Sequence, residues 1–306
     1  MRVDIVGAGA LGSVYGARLA RAGSDVHVVA RRARPAEVIR LERVDGRDDP
    51  ITWAAPERTE RVSSAADVVL VCVRYEDLDA AGAALSGAAA PVVVMTPMMP
   101  QDHARLSAIA PGRVVPAMPS VVSYRNDAGV IRYWLPRSAT TLIEKRTPAG
   151  AEATIATEIE RAGIRSKLVT GVLARNVATT VAFVPLAMAI DVAGGIDAVL
   201  ADDRLLTLAL AACEEGRALG RTVGQAEAWA TVVLRFAGPR LLRASVGLAR
   251  RRVPEAYSYV DRHFGRKLHA QNLAMGARIV ELAREHGTRA SAIAELLGRL
   301  AGAEKP

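Results

Sequence analysis

The spacing of apolar positions changes along the chain. Residues Arg2 to Val6 form a short β-branched run, and from Ser13 to Ala22 the apolar positions recur at helical spacing. The stretches from Val26 to Ala30, Val68 to Val73 and Val92 to Met95 are further apolar runs, separated by Ala-rich segments of helical character. Strands alternating with helices predict a parallel, doubly wound sheet. From Val114 to Glu144 the apolar pieces shorten to 114–118, 130–134 and 140–143, with turns at Asn126-Asp127 and Pro136, and they are expected to extend the same sheet. Beyond Leu168-Val169 the pattern is almost wholly helical, over 172–192, 204–219, 225–248 with a break at Gly238-Pro239, and 269–286. The expected fold class is α/β, with a doubly wound sheet in residues 1–168 and an all-helical C-terminal domain in 169–306.

Length and composition agree with two domains, since 306 residues exceed the usual size of one and the chain is half apolar with few aromatics. A formal charge of +8 raises the question of nucleic acid. The arginines are scattered, however, and the densest runs, Arg31-Arg32-Ala33-Arg34 and Arg250-Arg251-Arg252, are short and free of interleaved aromatics. An anionic small molecule suits the first run better than nucleic acid does. Cys72 and Cys213 lie in apolar contexts without CxxC spacing and read as buried thiols of a reducing compartment. The N-terminus opens directly into a strand, and no apolar stretch is read as approaching the roughly 20 residues of a membrane span. A cytoplasmic protein with no membrane partner is expected. His103, His263 and His286 show no ligand spacing, so no metal is expected.

The sharpest motif is Gly7-Ala8-Gly9-Ala10-Leu11-Gly12, placed between a strand and a helix. There Gly7 permits the tight turn, Gly9 lets backbone approach a pyrophosphate, and Gly12 allows helix to pack on strand. The helix N-terminus behind the turn offers unpaired N–H groups and partial positive charge to the phosphates. This is the fingerprint of a dinucleotide-binding Rossmann domain. At the end of the second strand, where an NAD site places an acidic residue, the chain has Ala30-Arg31-Arg32. Arg31 and Arg32 are suited to a 2′-phosphate, which favours NADPH. Arg74, just past the strand from Val68 to Val73, stands at the ligand-binding edge or is a surface charge.

The glycine turn with Arg31, the strand end Val71-Cys72-Val73-Arg74, and the helical segment Ala174-Arg175-Asn176-Val177-Ala178 continuing to Val184-Pro185-Leu186 together resemble the ketopantoate reductase family. The resemblance spans essentially the whole chain. It implies a Rossmann domain followed by a helical domain, NADPH in the cleft between them, and reduction of a 2-keto acid. It also matches Arg31 and Arg74 to the family's basic contacts at the adenosine phosphate end.

The resemblance breaks at the catalytic positions. The family's lysine on the first helix of the second domain corresponds to Asn176, and the four lysines of this chain, Lys145, Lys167, Lys267 and Lys305, all lie elsewhere. Arg175 points about 100° away around a helix, and its guanidinium is too weak an acid to replace an ammonium. The family's asparagine after the strand ending at Met95 becomes Thr96, followed by Pro97-Met98-Met99-Pro100, and its Asn-Pro pair becomes Val184-Pro185. The family's glutamate aligns with His269 counting from Gly265-Arg266, or with Gln271 counting back from His286-Gly287. Ser258 stays near the family's substrate-binding serine. With asparagines replaced by Val184, Pro97 and methionines, the cleft is expected to be apolar and to take a larger substrate.

The expected function is therefore NADPH-dependent reduction of a C=O, C=N or activated C=C bond in a bulkier, apolar molecule of specialised metabolism. Catalysis is assigned to Asn176, as a carbonyl-polarising group, and to His269, either a proton donor or a helix cap. Thr96, Val184, Ser258 and Gln271 are the expected substrate contacts, and Gly7, Ala8, Gly9, Ala10, Leu11, Gly12, Arg31, Arg32 and Arg74 the cofactor contacts. Tyr257 and Tyr259 are either proton donors or packing residues, and Glu214-Glu215 read most simply as a solvated helix face, or with one of them capping a polar contact at the domain seam. A non-redox cyclase or isomerase and a catalytically silent NADPH-binding sensor are the alternatives. The leucines and arginines of 225–248 also suit the seam of a homodimer.

Overall fold

The first strand, β1 (Arg2–Val6), has four consecutive buried residues, the mark of a strand covered on both faces. The computed structural model describes residues 1–137, 139–146, 150–224, 238–252, 254–255, 257–258 and 268–302, apart from the side chain of residue 249. Their contacts divide the chain into two units, Met1–Leu173 and Ala174–Pro306.

In the first unit β1 pairs in parallel with β2 (Asp25–Val29) on one side and with β6 (Val68–Val71) on the other. The sheet continues in parallel from β6 through β7 (Val92–Val94) to β8 (Val114–Met118). The short strand β5 (Arg58–Thr59) is added beside β2, and β11 (Thr141–Glu144) runs antiparallel to β8 before pairing with β12 (Ser166–Val169). The resulting order is β12-β11-β8-β7-β6-β1-β2-β5. Because the chain leaves β1 towards β2 and returns to its other side at β6, the order reverses between β1 and β6. That switch point is where open sheets of this kind leave a crevice at their carboxyl edge.

Alternate side chains serve two separate cores. Val69, Val71, Val92, Val94 and Val114 face α2 (Leu78–Leu85) and α3 (Pro100–Ile109) through Leu78, Leu85 and Leu106. Val3, Ile5, Leu70, Val93 and Val115 belong to the opposite core, with α1 (Ala10–Arg21) and α4 (Ala151–Arg161). Each such valine or leucine contributes on the order of 1.5–3 kcal/mol by leaving water.

The second core contains a feature not expected from the sequence. Strands β3 (Glu37–Arg43), β4 (Ile51–Ala55), β9 (Val122–Arg125) and β10 (Ile131–Trp134) form a separate four-stranded sheet in the order β4-β3-β10-β9. The piece around 130–134 therefore does not extend the main sheet. Its partner is β3, in parallel, and Ile131 and Tyr133 pack with Ile39, Leu41 and Trp53 into the α1 side of the core. Gly16 on α1 makes this docking possible, since a Cβ there would stand 2.7 Å from the Trp53 ring.

The second unit is helical throughout its described residues, so the expected α/β class with an all-helical C-terminal part is borne out. It comprises α5 (Val172–Ala193), whose first turn begins in the first unit, α6 (Ile196–Ala201), α7 (Asp203–Gly224), α8 (Pro239–Arg252), α9 (His269–Glu285) and α10 (Ser291–Gly302). The break at Gly238-Pro239 coincides with the start of α8, while 225–237 lies outside the described residues. Gly216, Gly220 and Gly224 recur every fourth residue on α7 and meet the backbone of α5 at Val181, Ala178 and Ala174. A Cβ at Gly216 would collide with the Val181 carbonyl, so this helix crossing exists only with glycine.

One expectation is corrected outright. Helix α5 has 22 residues at a mean hydropathy of 1.6, long and apolar enough to cross a membrane by length and composition. Of its most apolar window 72% is buried within the protein, and the helix carries Arg175, Asn176 and Asp191. Its apolar character is accounted for by the burial of most of that window within the protein.

Candidate functional site

At the switch point the chain leaves β1 through Gly7, whose φ of +99° is open to few residues other than glycine. A Cβ there would lie 2.8 Å from Val73 and 2.9 Å from the Cys72 backbone, and a Cβ at Gly12 would collide with the Gly7 carbonyl. Gly7 N–H donates to Val29 O at 3.0 Å, which ties the turn to β2. Gly9 is different: nothing lies within 4 Å of where its Cβ would be. It is the N-cap of α1 and makes no side-chain capping bond, and the first turn of α1 carries no acidic residue. Residues Ala8, Ala10 and Leu11 complete the turn and support the core with partly buried side chains.

A cavity of about 650 Å³ opens on this turn, lined by Gly7, Ala8 and Gly9 at one end and by Arg31, Arg61 and Arg74 further along. Ala80, Ala81, Ala83 and Ala84 of α2 form an apolar wall. Cys72 also lines it, and burial pushes its thiol up to about 12, so it is a neutral, apolar group. Gly-rich backbone, an uncapped helix start and several guanidinium groups fit a dinucleotide. Arg31 and Arg74 thus share one cavity, as the sequence suggests, whereas Arg32 is exposed and does not line it. Arg61, Glu60 and Asp77 are cavity residues that the sequence motif does not reveal. They follow β5 and β6, and only the pairing of β5 beside β2 brings the first two near Arg31.

A second cavity, about 520 Å³, is lined by Arg18, Arg21, Arg47, Arg161 and Asp48. Two of its arginines are engaged in the fold. Arg18 of α1 donates to Ala162 O at the end of α4, and Arg161 of α4 donates to Ala22 O at the end of α1, each at 2.9 Å. Two helix C-termini are capped reciprocally by cations, as the helix dipole favours.

The expected substrate residues divide sharply. Thr96 is buried, and its hydroxyl donates to Val73 O at 2.7 Å, binding the end of β7 to the chain beyond β6. Met98 and Met99 are fully buried, Met98 in the α2–α3 core, so neither contributes an apolar cleft surface. In the helical unit Asn176 is buried on α5, Val184 and Gln271 are half-buried, and Ser258 is exposed. Tyr257 donates to Asp197 at 2.6 Å beneath Arg250, and Tyr259, Gly265 and Arg266 lie outside the described residues.

His269 is the first residue of α9, and its Nδ1 lies 3.1 Å from Oδ2 of Asp191 near the end of α5. Asn272, one helical turn on, donates Nδ2 to the same oxygen at 3.0 Å. Asp191 is almost completely buried. A carboxylate that accepts from Nδ1 selects the tautomer with the proton on that nitrogen and leaves Nε2 as the basic atom, as proton-transferring histidines require. Asp191 is legible in sequence only as one acidic residue in an apolar helix; the partner lies 78 residues away. Glu215 is likewise not on a solvated face. It accepts from Ala292 N at 2.8 Å and Ile293 N at 3.2 Å, capping α10 from α7. Both cysteines are buried and unbridged, and burial also pushes Cys213 up to about 12.

Residues 3–139 match the family model described as ketopantoate reductase PanE/ApbA. No curated protein sequence matches the chain. Among solved structures, a PanE/ApbA family ketopantoate reductase from Ralstonia eutropha JMP134 superposes with a TM-score of 0.72 at 22% identity, over 98% of this chain and 97% of the other. A dimeric ketopantoate reductase from Staphylococcus aureus gives 0.70 at 13% identity, over 99% and 98%. D-mandelate dehydrogenase, solved with NADH and anilino(oxo)acetate, gives 0.66 at 12% identity, over 99% and 97%. Residues 3–139 therefore form a domain of the ketopantoate reductase PanE/ApbA family, within a chain that has the ketopantoate reductase fold along almost its whole length.

Proposed function

We propose that the protein is an oxidoreductase that binds NADPH in the cavity of its N-terminal unit and reduces a C=O, C=N or activated C=C bond of an organic substrate less polar than ketopantoate. The observation that carries this reading is the cavity itself, in which Gly7, Ala8 and Gly9 of the glycine turn and the cations Arg31 and Arg74 share one concave surface at the switch point of the sheet. A relative of this fold holds NADH, so the fold leaves the choice of nicotinamide nucleotide open. Arg31 and Arg74 favour the phosphorylated one, with Gly9 giving the pyrophosphate access to α1.

The cofactor supplies a hydride to the electrophilic carbon. The protein must then deliver a proton to the atom that accumulates negative charge. His269, oriented by Asp191, is the proposed donor in its imidazolium form, giving up the proton on Nε2 and keeping the one on Nδ1, and Asn176 is the proposed polarising group; Gln271 and Ser258 are the proposed polar contacts to substrate. The proposal of a less polar substrate is supported by the apolar replacements Val184 and Pro97 taken separately, because Met98 and Met99 belong to the core. Two buried, unbridged thiols accord with a cytoplasmic enzyme. A homodimer is supported by Leu241 and Leu248, 54% and 50% exposed and seven residues apart on one face of α8, and by the dimeric Staphylococcus aureus relative. Specialised metabolism is the proposed setting, since the family's lysine is replaced by Asn176. That replacement also favours a second reading, a proton-only cyclisation or isomerisation through His269.

Calorimetric titration with NADPH, NADH and NADP⁺, followed by a screen of carbonyl, imine and enone substrates for NADPH oxidation, tests the proposal. NADPH binding that is lost in Arg31→Ala, together with oxidation dependent on a screened substrate, is the expected result. Absence of any nucleotide binding overturns it, and binding without oxidation while a substrate isomerises moves the assignment to the second reading.

A further inference from the structure

Arg31 has a partner inside the cavity. Its Nη1 lies 3.2 Å from Oδ1 of Asp77, and both residues line the same surface. Asp77 ends the 3₁₀ turn Tyr75–Asp77 that follows β6, so it reaches the tip of β2 from across the switch point. An Asp at a helix start ordinarily caps that helix, but Asp77, the N-cap of α2, makes no side-chain capping bond there. Its carboxylate is turned to Arg31 instead. Beyond it, the α2 residues lining the cavity are alanines, so Asp77 is the polar group that this wall presents among the described residues.

Dinucleotide sites that take an unphosphorylated ribose place a carboxylate at the end of the second strand to accept from the ribose hydroxyls. Here that position is Arg31 and its neighbours, and the carboxylate arrives at the same place from the start of α2. We propose that Asp77 is the specificity-determining residue of the nucleotide site. With NADPH, the 2′-phosphate takes Arg31 from Asp77, because a phosphate carries more charge and accepts the guanidinium fork as well as a carboxylate does. With NADH, Arg31 stays with Asp77, whose remaining lone pairs accept from the ribose hydroxyls. The side chains are 77% and 31% exposed, so separating them costs little and both arrangements are accessible. The site accordingly accepts both nucleotides, and Asp77 reduces the advantage that Arg31 gives to NADPH. This inference rests on the nicotinamide-nucleotide reading above.

The test is calorimetric titration of the full chain with NADPH and with NADH for wild type, Asp77→Asn and Asp77→Ser, with melting curves confirming the fold. Loss of the negative charge is expected to tighten NADPH and weaken NADH, each by about 3- to 10-fold, the range of a partly exposed charge interaction. The preference for NADPH then rises by roughly 10- to 100-fold, the product of the two. Both affinities moving together, or neither moving, overturns the role of Asp77 while leaving the cofactor assignment intact. A wild type that binds neither nucleotide overturns both.

Discussion

The imidazole Nδ1 of His269 is 3.1 Å from Oδ2 of Asp191, and Asn272 donates to that same oxygen at 3.0 Å. Two helices distant in sequence are joined through one buried carboxylate. Removing this acceptor leaves two buried donors unsatisfied, each at a cost of about 1–3 kcal/mol. Since the His269 side chain is a fifth exposed, Asp191→Ala is expected to cost less than the full sum, about 2–3 kcal/mol by urea denaturation. A loss under ~0.5 kcal/mol would show that the carboxylate is not holding α5 to α9.

Glycine-to-alanine changes at the α5–α7 seam and on α10 are expected to have opposite outcomes. At Gly216 an added methyl meets the Val181 carbonyl, a backbone atom that cannot move aside. Gly216→Ala is expected to destabilise by about 3 kcal/mol or to prevent folding of the helical unit. Gly298, inside α10, has nothing within 4 Å of its Cβ position, so Gly298→Ala should raise stability by up to about 1 kcal/mol through helix propensity. Thermal melts of the two variants decide the matter, and shifts of the same sign would contradict the packing described.

The glycine turn separates folding from binding in the same way. Gly12→Ala forces a methyl against the Gly7 carbonyl and is expected to lower the melting temperature of the N-terminal unit. Gly9→Ala meets open space, lines the cavity, and should leave stability within ~0.5 kcal/mol while weakening NADPH by at least about tenfold. Unchanged NADPH affinity in Gly9→Ala would remove this turn from the nucleotide site.

Acid stability depends in part on Asp48. Burial pushes its carboxyl up, but the hydrogen bond from Arg43 and the charges of Arg18 and Arg43 outweigh that and hold it below the ordinary value of 3.8. The unfolded chain therefore takes up this proton first as the pH falls. The stabilisation is present above the ordinary carboxylate range and disappears as the pH drops through the folded value. Asp48→Asn should lower stability at neutral pH and flatten the acid limb of the stability curve, and an unaltered limb would refute the assignment.

Both thiols, pushed up to about 12 by burial, should resist thiol reagents in the native protein at neutral pH. They become reactive only as the chain unfolds. Native stability should also fall as the pH rises from about 9 towards 12, where the unfolded chain releases protons that the folded one retains. Labelling of Cys72 without unfolding would mean that the cavity floor opens.

How far the sequence reaches can be judged from particular elements. The strands β1, β2, β6, β7 and β8 are legible because each is a short run with several valine or isoleucine positions, apolar and buried throughout in β6 and β7. Strand β3 is harder to read: Glu37-Val38-Ile39-Arg40-Leu41-Glu42-Arg43 is charged at several positions, and Val38 is 73% exposed, so its apolar alternation is blurred. Its parallel partner β10 lies some 90 residues away, and pairing at that distance leaves no local mark. The buried methionines after β7 and the helix that Glu215 caps were hidden for the same reason, since a residue type does not declare what covers it.

Local pattern alone determined the succession of β1, β2, β6, β7 and β8 and of the long helices that follow residue 171, the glycine turn between β1 and α1, and the cations that follow β2 and β6. These depend on residues close together in the chain, where period, turn geometry and backbone freedom act directly. The second sheet, the α5–α7 crossing, the Asp191–His269–Asn272 cluster and the meeting of Asp77 with Arg31 were decided by tertiary structure. Each joins groups that chain folding brings within a few ångströms, and burial and electrostatics act on that distance rather than on separation in sequence.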